Sequence, residues 1–331
     1  MMKTATVGSF IATLACGSAS AEIMPTIDGV FSFGISTGNI ESAGEGSVDS
    51  LDIWRGDISA DMALRFNQSI SMGFEFSHNQ TTISFDEGEG PSDSFEQDAT
   101  RWAIKPRYDL NDMFHVGAYY QNTSFLGSLD SVGVSGGYDT GRFAIAGYAG
   151  QTELDSFLFF GPSDGIKAKN VGVSVLGRPV EGLELFGHYS LAKIETDAES
   201  EGPFESEDKI KRAAIGVDYS FGNGWNVYGA TTSTEGSFLG DERLRQSTLG
   251  AGFDLANLGG GLPGTMYVDW TRTSFDAFDE KIDAFGVNWT VGFGGADAKP
   301  QNCTVRNARG MNPAAFSALI ECVPGQFGFP T

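Results

Sequence analysis

From residue 22 to residue 293 the chain repeats a single pattern, an apolar side chain at every second position. Ile27-Gly29-Phe31-Phe33, Ile58-Ala60-Met62-Leu64-Phe66, Ile70-Met72-Phe74-Phe76 and Phe114-Val116-Ala118-Tyr120 show it. So do Val171-Val173-Val175, Ile215-Val217-Tyr219-Phe221, Leu249-Ala251-Phe253-Leu255 and Phe285-Val287-Trp289-Val291-Phe293. The residues between are Ser, Gly, Asp, Asn, Thr, Arg and Lys. A period of two belongs to strands with one apolar and one polar face, not to helices. The pattern recurs fourteen times, which predicts an all-β chain.

The connections alternate as well. Tight turns are expected at Asn67-Gln68, Leu110-Asn111-Asp112, Thr140-Gly141, Pro179 to Gly182 and Gly222-Asn223-Gly224, with a longer glycine-rich one from Asn257 to Gly264. Longer loops are expected near 36–50, 79–98, 122–130, 153–168, 195–208, 234–243 and 274–280. Short connections at one end and long ones at the other mark a transmembrane antiparallel up-and-down β-barrel. A soluble sandwich would instead bury its apolar faces between two sheets. An even strand count, strands of about 9–13 residues, long enough to span a bilayer when tilted, and an export signal favour the barrel. Fourteen strands are expected, with sixteen as the alternative.

Residues 1–21 read as a cleaved signal peptide: Lys3 near the start, an apolar stretch from Val7 to Cys16, then Ala19-Ser20-Ala21. The barrel is expected over 22–295 and a C-terminal extension over 296–331. No apolar run after the leader is long enough for a membrane helix. A formal charge of −22 argues against nucleic acid as a partner. In lipid every backbone polar group must be bonded within the protein, so the sheet must close. The apolar set then faces lipid, and the polar set lines a lumen that holds water, since unpaired charge cannot be buried dry.

Residues 54–66 (WRGDISADMALRF), 132–149 (VGVSGGYDTGRFAIAGYA) and 170–177 (NVGVSVLG) resemble the Gram-negative outer-membrane porins, in particular alphaproteobacterial general porins, over about residues 24–293. The resemblance implies an outer-membrane location, contact with lipid and lipopolysaccharide, and passive diffusion of ions and small hydrophilic solutes. It also implies a constriction with a basic ladder facing carboxylates, an infolded loop and a homotrimer. The chain departs from it in strand number, sixteen in the family, and in continuing past Phe293.

Alternation puts Arg65, Arg101, Lys105 and Arg107 on the lumen face, with Arg142, Arg178 and Arg212. The acidic set is Asp57, Asp61, Glu75, Asp139, Glu184, Asp218 and Asp269. Arg65, Arg101, Lys105, Arg107, Asp57, Asp61, Glu75, Glu184 and Asp218 are the candidate pore-lining residues. The 153–168 loop, with Phe157, Phe159 and Phe160, is the candidate for infolding; a membrane or subunit contact is the other reading of those rings. Loops 79–98 and 195–208 are acidic without a balancing base, which concentrates cations at the mouth and predicts weak cation preference. Those carboxylates offer oxygen ligands to Ca²⁺ or Mg²⁺, weakly held and bridging to lipopolysaccharide. No other cofactor and no resident metal site is expected.

No G-x-S-x-G or H-E-x-x-H motif occurs, and the nearest same-face serine to His188, Ser190, stands about 7 Å along the strand, so no enzyme is expected. A cross-strand partner for His188 stays open. A substrate-specific channel for hydrophobic or sugar-like ligands is the alternative function; a hydrolase or an adhesin ranks below it. In the extension, Lys299, Arg306 and Arg309 outnumber Asp297 and Glu321 in an otherwise acidic protein. Asn312-Pro313 followed by Ala314 to Ile320 reads as a capped short helix. Cys303 and Cys322 are expected to pair in an oxidising compartment. Three placements compete for this segment: a stapled periplasmic extension, which is favoured, a plug in the acidic lumen, or a peptidoglycan anchor.

Overall fold

The structure is a computed structural model that describes residues 25–41, 50–86, 93–125, 127–157, 166–195, 208–236, 243–258, 262–276 and 280–310. Fourteen strands run in chain order: β1 Thr26–Glu41, β2 Ser50–Arg65, β3 Ile70–Asp86, β4 Asp93–Asp109, β5 Phe114–Ser124, β6 Gly127–Asp139 and β7 Phe143–Phe157. They continue with β8 Ile166–Gly177, β9 Leu183–Glu195, β10 Lys209–Ser220, β11 Trp225–Gly236, β12 Arg243–Asp254, β13 Thr265–Phe275 and β14 Glu280–Phe293. Each strand pairs antiparallel with its chain neighbours, and β1 pairs with β14 (Phe33 opposite Trp289), so the sheet closes and has no edge. The closed fourteen-strand barrel is the expected fold.

The two faces are inverted relative to a soluble protein. Phe31, Val134, Leu249 and Phe285 stand outside, 40%, 61%, 64% and 62% exposed. Ser131, Thr152, Asn170, Thr232 and Thr290 point inward and are buried. The alternation read from the sequence therefore assigns every strand's faces.

At the turn end the chain uses one device repeatedly. Asn67 Oδ1 accepts from the backbone N–H groups of Ser69 and Ile70, both 2.8 Å, and Asn111 Oδ1 does the same for Met113 and Phe114, both 2.9 Å. Asp139 and Asp254 cap Gly141 and Ala256 in the same way. Such side chains satisfy backbone donors that a two-strand reversal leaves open.

At the other end the strands outrun the expectation. β3 and β4 are 17 residues each and take in much of the expected 79–98 loop. The apolar half of the zigzag gives way there to Gln80, Thr82 and Ser84, so hydropathy stops marking the strand while the ladder continues to Asp86. Most of the expected loop at 122–130 is instead strand, β5 running to Ser124 and β6 starting at Gly127, with Phe125 N–H donating to Gly127 O. The 158–165 stretch of the candidate infolding loop and the 87–92 and 196–207 stretches of the acidic loops lie outside the described residues, as do the leader and residues 311–331.

Large rings also point inward. Tyr119 lies across Gly133 and Gly150, Tyr148 across Gly172, Phe186 across Gly216 and Tyr228 across Gly250. A Cβ at any of these glycines would meet the ring, so the small residue on one strand seats the large one on its neighbour.

Beyond β14 the described residues 296–310 depart from the favoured periplasmic placement. Gly294 and Gly295 have φ of +65° and +96° and reverse the chain. A Cβ at Gly294 would strike Ile27 O. Residues 296–310 then re-enter the barrel, ending in a short helix, α1 (Cys303–Ala308), against the inner wall of β9 to β12. The physical reason is complementarity: Lys299 and Arg309 of this segment meet buried lumen carboxylates.

Candidate functional site: the lumen and the segment inside it

The lumen has two charged walls. On the first, β2 to β4, Glu75 sits opposite Ala103, so Arg101 and Lys105 flank its carboxylate two residues to either side. Arg101 Nη1 donates to Glu75 Oε2 at 2.9 Å, and Lys105 Nζ donates to Oε1. Arg101 is 1% exposed. Asp61 stands directly across from Glu75 on β2. Asp57 is bonded by Arg55, Nε to Oδ1 at 2.8 Å. Toward the turn end Arg107 pairs with Asp109 and Arg65 with Asp28, both on exposed rim.

The predicted basic ladder is present as a row on β4, and part of the predicted acidic set lies beside it, while Glu184 and Asp218 stand on β9 and β10. Asp57, Asp61 and Glu75 share its wall. Parity fixes which face a residue takes, and only register fixes its cross-strand partner.

On the second wall Glu184 of β9 and Asp218 of β10 are directly opposed. Like charges in that position repel, and the C-terminal segment supplies the compensation. Arg309 Nη1 donates to Glu184 Oε2 at 2.8 Å and Nη2 to Asp218 Oδ2 at 2.9 Å. Its guanidinium carbon lies 4.4 Å from the centre of the Phe186 ring. Lys299 and Arg178 also reach Glu184, at 2.9 and 3.0 Å. Asp269, on β13, is held by neutral donors instead: Tyr228 OH at 3.1 Å, Asn288 Nδ2 at 3.1 Å and Asn302 Nδ2 at 2.9 Å. Asn302 at the same time caps α1, accepting from Thr304 N–H at 3.0 Å.

Between these polar ties is a dry contact. Val305 and Ala308 of α1 are fully buried against Phe186, Ala214, Tyr228, Ala230 and Tyr267. Burying one valine side chain is worth about 1.5–3 kcal/mol. The inward Phe186 was missed by reading faces alone. Its signal was in the sequence, because Leu185 and Phe186 are apolar on both parities and a purely wet lumen needs only one.

Space is left beside the segment. A polar cavity of about 90 Å³ lies between it and the wall of β1 to β3, lined by Ser36, Arg55, Asp57, Asn79, Asn302 and Arg306 among others. Since a single water needs roughly 10–15 Å³, the cavity accommodates several. A larger one of about 360 Å³ is lined by Arg65, Lys105, Arg107, His115, Tyr148 and Gly310. A third, about 510 Å³, at the turn-end mouth, reaches Glu184, Asp218 and Lys299.

Arg142 lies in the β6–β7 turn and Arg178 just past β8, both at that mouth rather than mid-lumen. Arg212 is buried on β10. His188 does have a cross-strand partner: its Nδ1 is 3.0 Å from Ser174 Oγ. Its Nε2 has no partner among the described residues, so no acid orients the ring as a nucleophile–base pair requires. Gly310 packs over both groups. No cluster of three or more metal-ligating side chains occurs among the described residues. Cys303 begins α1; its expected partner, Cys322, lies outside the described residues.

No known family model matches the chain, and no curated protein matches it. Solved structures do. An anion-selective porin from Comamonas acidovorans superposes with a TM-score of 0.50 at 12% identity, covering 82% of this chain and 99% of that one. A FadL homologue of Pseudomonas aeruginosa gives 0.49 at 10% identity over 80% and 90%. OmpT lacking loop L8, an outer membrane protein of Vibrio cholerae, gives 0.45 at 12% identity over 80% and 99%. At 12% identity the likeness to the Comamonas porin is one of fold.

Proposed function

We propose that this chain is an outer-membrane channel through which ions and small hydrophilic solutes diffuse, with its own C-terminal segment narrowing the passage. The observation that carries the reading is the inverted patterning: a closed sheet with large apolar side chains outside and hydroxyls, amides and charges within. Water would not tolerate that exterior, and lipid would not tolerate an open edge. Polar cavities beside the segment support a wet path.

Weak cation preference follows from the charge of −22, since both Arg101 and Lys105 are already bonded to Glu75. Export by the 1–21 leader, contact with lipopolysaccharide through Ca²⁺ or Mg²⁺ at the acidic loops, a Cys303–Cys322 bridge and a general-porin-like homotrimer belong to the same proposal. So does the absence of catalysis. A second reading, a channel for apolar ligands, draws on the Phe186–Tyr228–Tyr267 patch in the lumen.

Liposome swelling with sugars, set against uptake of long-chain acids by the same vesicles, tests the two. Swelling in sugar without acid uptake is the expected result; acid uptake without swelling overturns the diffusion reading.

A further inference from the structure

Glu184 and Asp218 are directly opposed carboxylates, as Asp61–Glu75 and Asp130–Glu153 also are, and they alone of these pairs are bridged by one guanidinium among the described residues. The two carboxylates face each other directly across β9 and β10 and are largely withdrawn from water, at 9% and 3% residue exposure. A cation between its members stabilises such a pair. The cation present is a guanidinium, and the fit is specific to that shape. One terminal nitrogen of Arg309 bonds each carboxylate, while the flat face lies over Phe186. A planar fork of donors and a face that stacks on an aromatic ring are what distinguish guanidinium from ammonium. Phe186 is itself fixed by Gly216, whose missing side chain makes room for the ring.

The site is also within reach of solution. The cleft of about 510 Å³ at the turn-end mouth is lined by both Glu184 and Asp218. The group that fills the site arrives on a segment that follows the last strand and is held to the wall by non-covalent ties, among them Lys299 to Glu184, Asn302 to Asp269, Tyr267 OH to Ala298 O and the Val305–Ala308 patch.

We propose that Glu184, Asp218 and Phe186 form a binding site for guanidinium-bearing solutes, occupied at rest by the chain's own Arg309 as a tethered ligand. A free guanidinium solute entering through the mouth competes with Arg309, and occupancy by the solute detaches the end of α1 from the wall. Arg178 and Lys299 stay on Glu184 during the exchange and keep the local charge unchanged, one guanidinium replacing another.

The binding arm of the test does not require a conducting pore, so its failure is separable from failure of the diffusion reading. Full-length protein refolded in detergent is titrated calorimetrically with methylguanidinium chloride and, in parallel, with ethylammonium chloride at matched ionic strength. Wild type is expected to bind methylguanidinium weakly, because Arg309 competes from a tether. Arg309→Ala is expected to bind it about tenfold or more tightly, and to prefer it over ethylammonium by a similar factor. Adding Glu184→Gln to Arg309→Ala should abolish the difference between the two cations.

Arg309→Lys keeps the charge at that position and covers the case in which Arg309→Ala does not refold. It too should bind methylguanidinium more tightly than wild type, since an ammonium lacks the two-pronged contact. Equal binding of the two cations by whichever variant refolds overturns the proposal. So does binding no tighter than that of wild type.

Discussion

Glu75 on β3 and Glu184 on β9 are both lumen glutamates with more than one cation in reach, yet the cations come from different places. Those of Glu75 are Arg101 and Lys105, on the adjacent strand, set in place when the sheet closes. Those of Glu184 include Lys299 and Arg309, on a segment that follows the last strand and returns through the lumen. Glu75 on the first wall is bridged by cations of the barrel itself. The second wall is left incomplete by the barrel and finished by the C-terminal segment, so a change on it should act on the segment before it acts on the sheet.

The sharpest way to break this contrast is to neutralise one carboxylate on each wall. Glu75→Gln leaves Arg101, 1% exposed, facing an uncharged amide. Removing one partner of a buried pair costs about 3–5 kcal/mol, and the survival of Lys105 nearby does nothing to relieve it. Asp218→Asn leaves Arg309 on Glu184, so the loss is that of one charged hydrogen bond, about 1.5–3 kcal/mol at most. Urea titration of the refolded proteins in lipid vesicles should show the larger loss for Glu75→Gln; equal losses would mean the two walls are not different in kind.

Ending the chain after Gly295 removes what completes the second wall and leaves the Arg101 and Lys105 bridges to Glu75 in place. Conductance in planar bilayers should rise about threefold or more, because residues 296–310 no longer fill part of the lumen and flow through a pore follows its open section. An unchanged conductance would place the limiting constriction elsewhere. A smaller change on the same axis is Gly310→Ala. Gly310 has φ +70° and lies against Ser174 and His188, so a side chain there is strained and crowded. A left-handed alanine costs roughly 1–2 kcal/mol, carried by the segment alone. Backbone hydrogen exchange over residues 303–309 should speed up while exchange in β3 and β4 stays as in wild type.

Why the first wall could be read from sequence and the second could not follows from what alternation encodes. Parity placed Arg101, Lys105, Asp61 and Glu75 inside, and Phe31, Val134 and Leu249 outside, because a residue's face depends only on its own strand. Opposition of Glu184 to Asp218 depends on register between β9 and β10. The two strands are separated by residues 196–208 in the sequence, and neither strand's hydropathy records the offset. The surplus of Lys299, Arg306 and Arg309 over acids was visible, and it was compatible with the lumen, but charge balance alone does not choose between lumen and periplasm. The inward rings were hidden for a related reason. Tyr119 and Tyr228 sit at positions shared with hydroxyls and amides, and their seats, Gly133 and Gly250, are on neighbouring strands rather than in local sequence.

The smallest effect concerns the basic row. If Arg101, Lys105 and Arg107 formed a bare ladder at the narrowest point, removing any one charge would shift ion preference strongly. Arg101 and Lys105 are instead bonded to Glu75, and Arg107, whose side chain is 48% exposed, is paired at 2.7 Å with Asp109 near the rim. An exposed pair of this kind contributes about 0.2–1 kcal/mol and is screened by salt. Arg107→Gln should therefore change the potassium-to-chloride permeability ratio, measured as a reversal potential across a salt gradient, by less than about twofold at 0.1 M. The change should vanish near 1 M, where the screening length falls from about 10 Å to about 3 Å. A severalfold shift that persists at high salt would mean that Arg107 faces the narrowest section, which would then lie along the first wall and not beside α1.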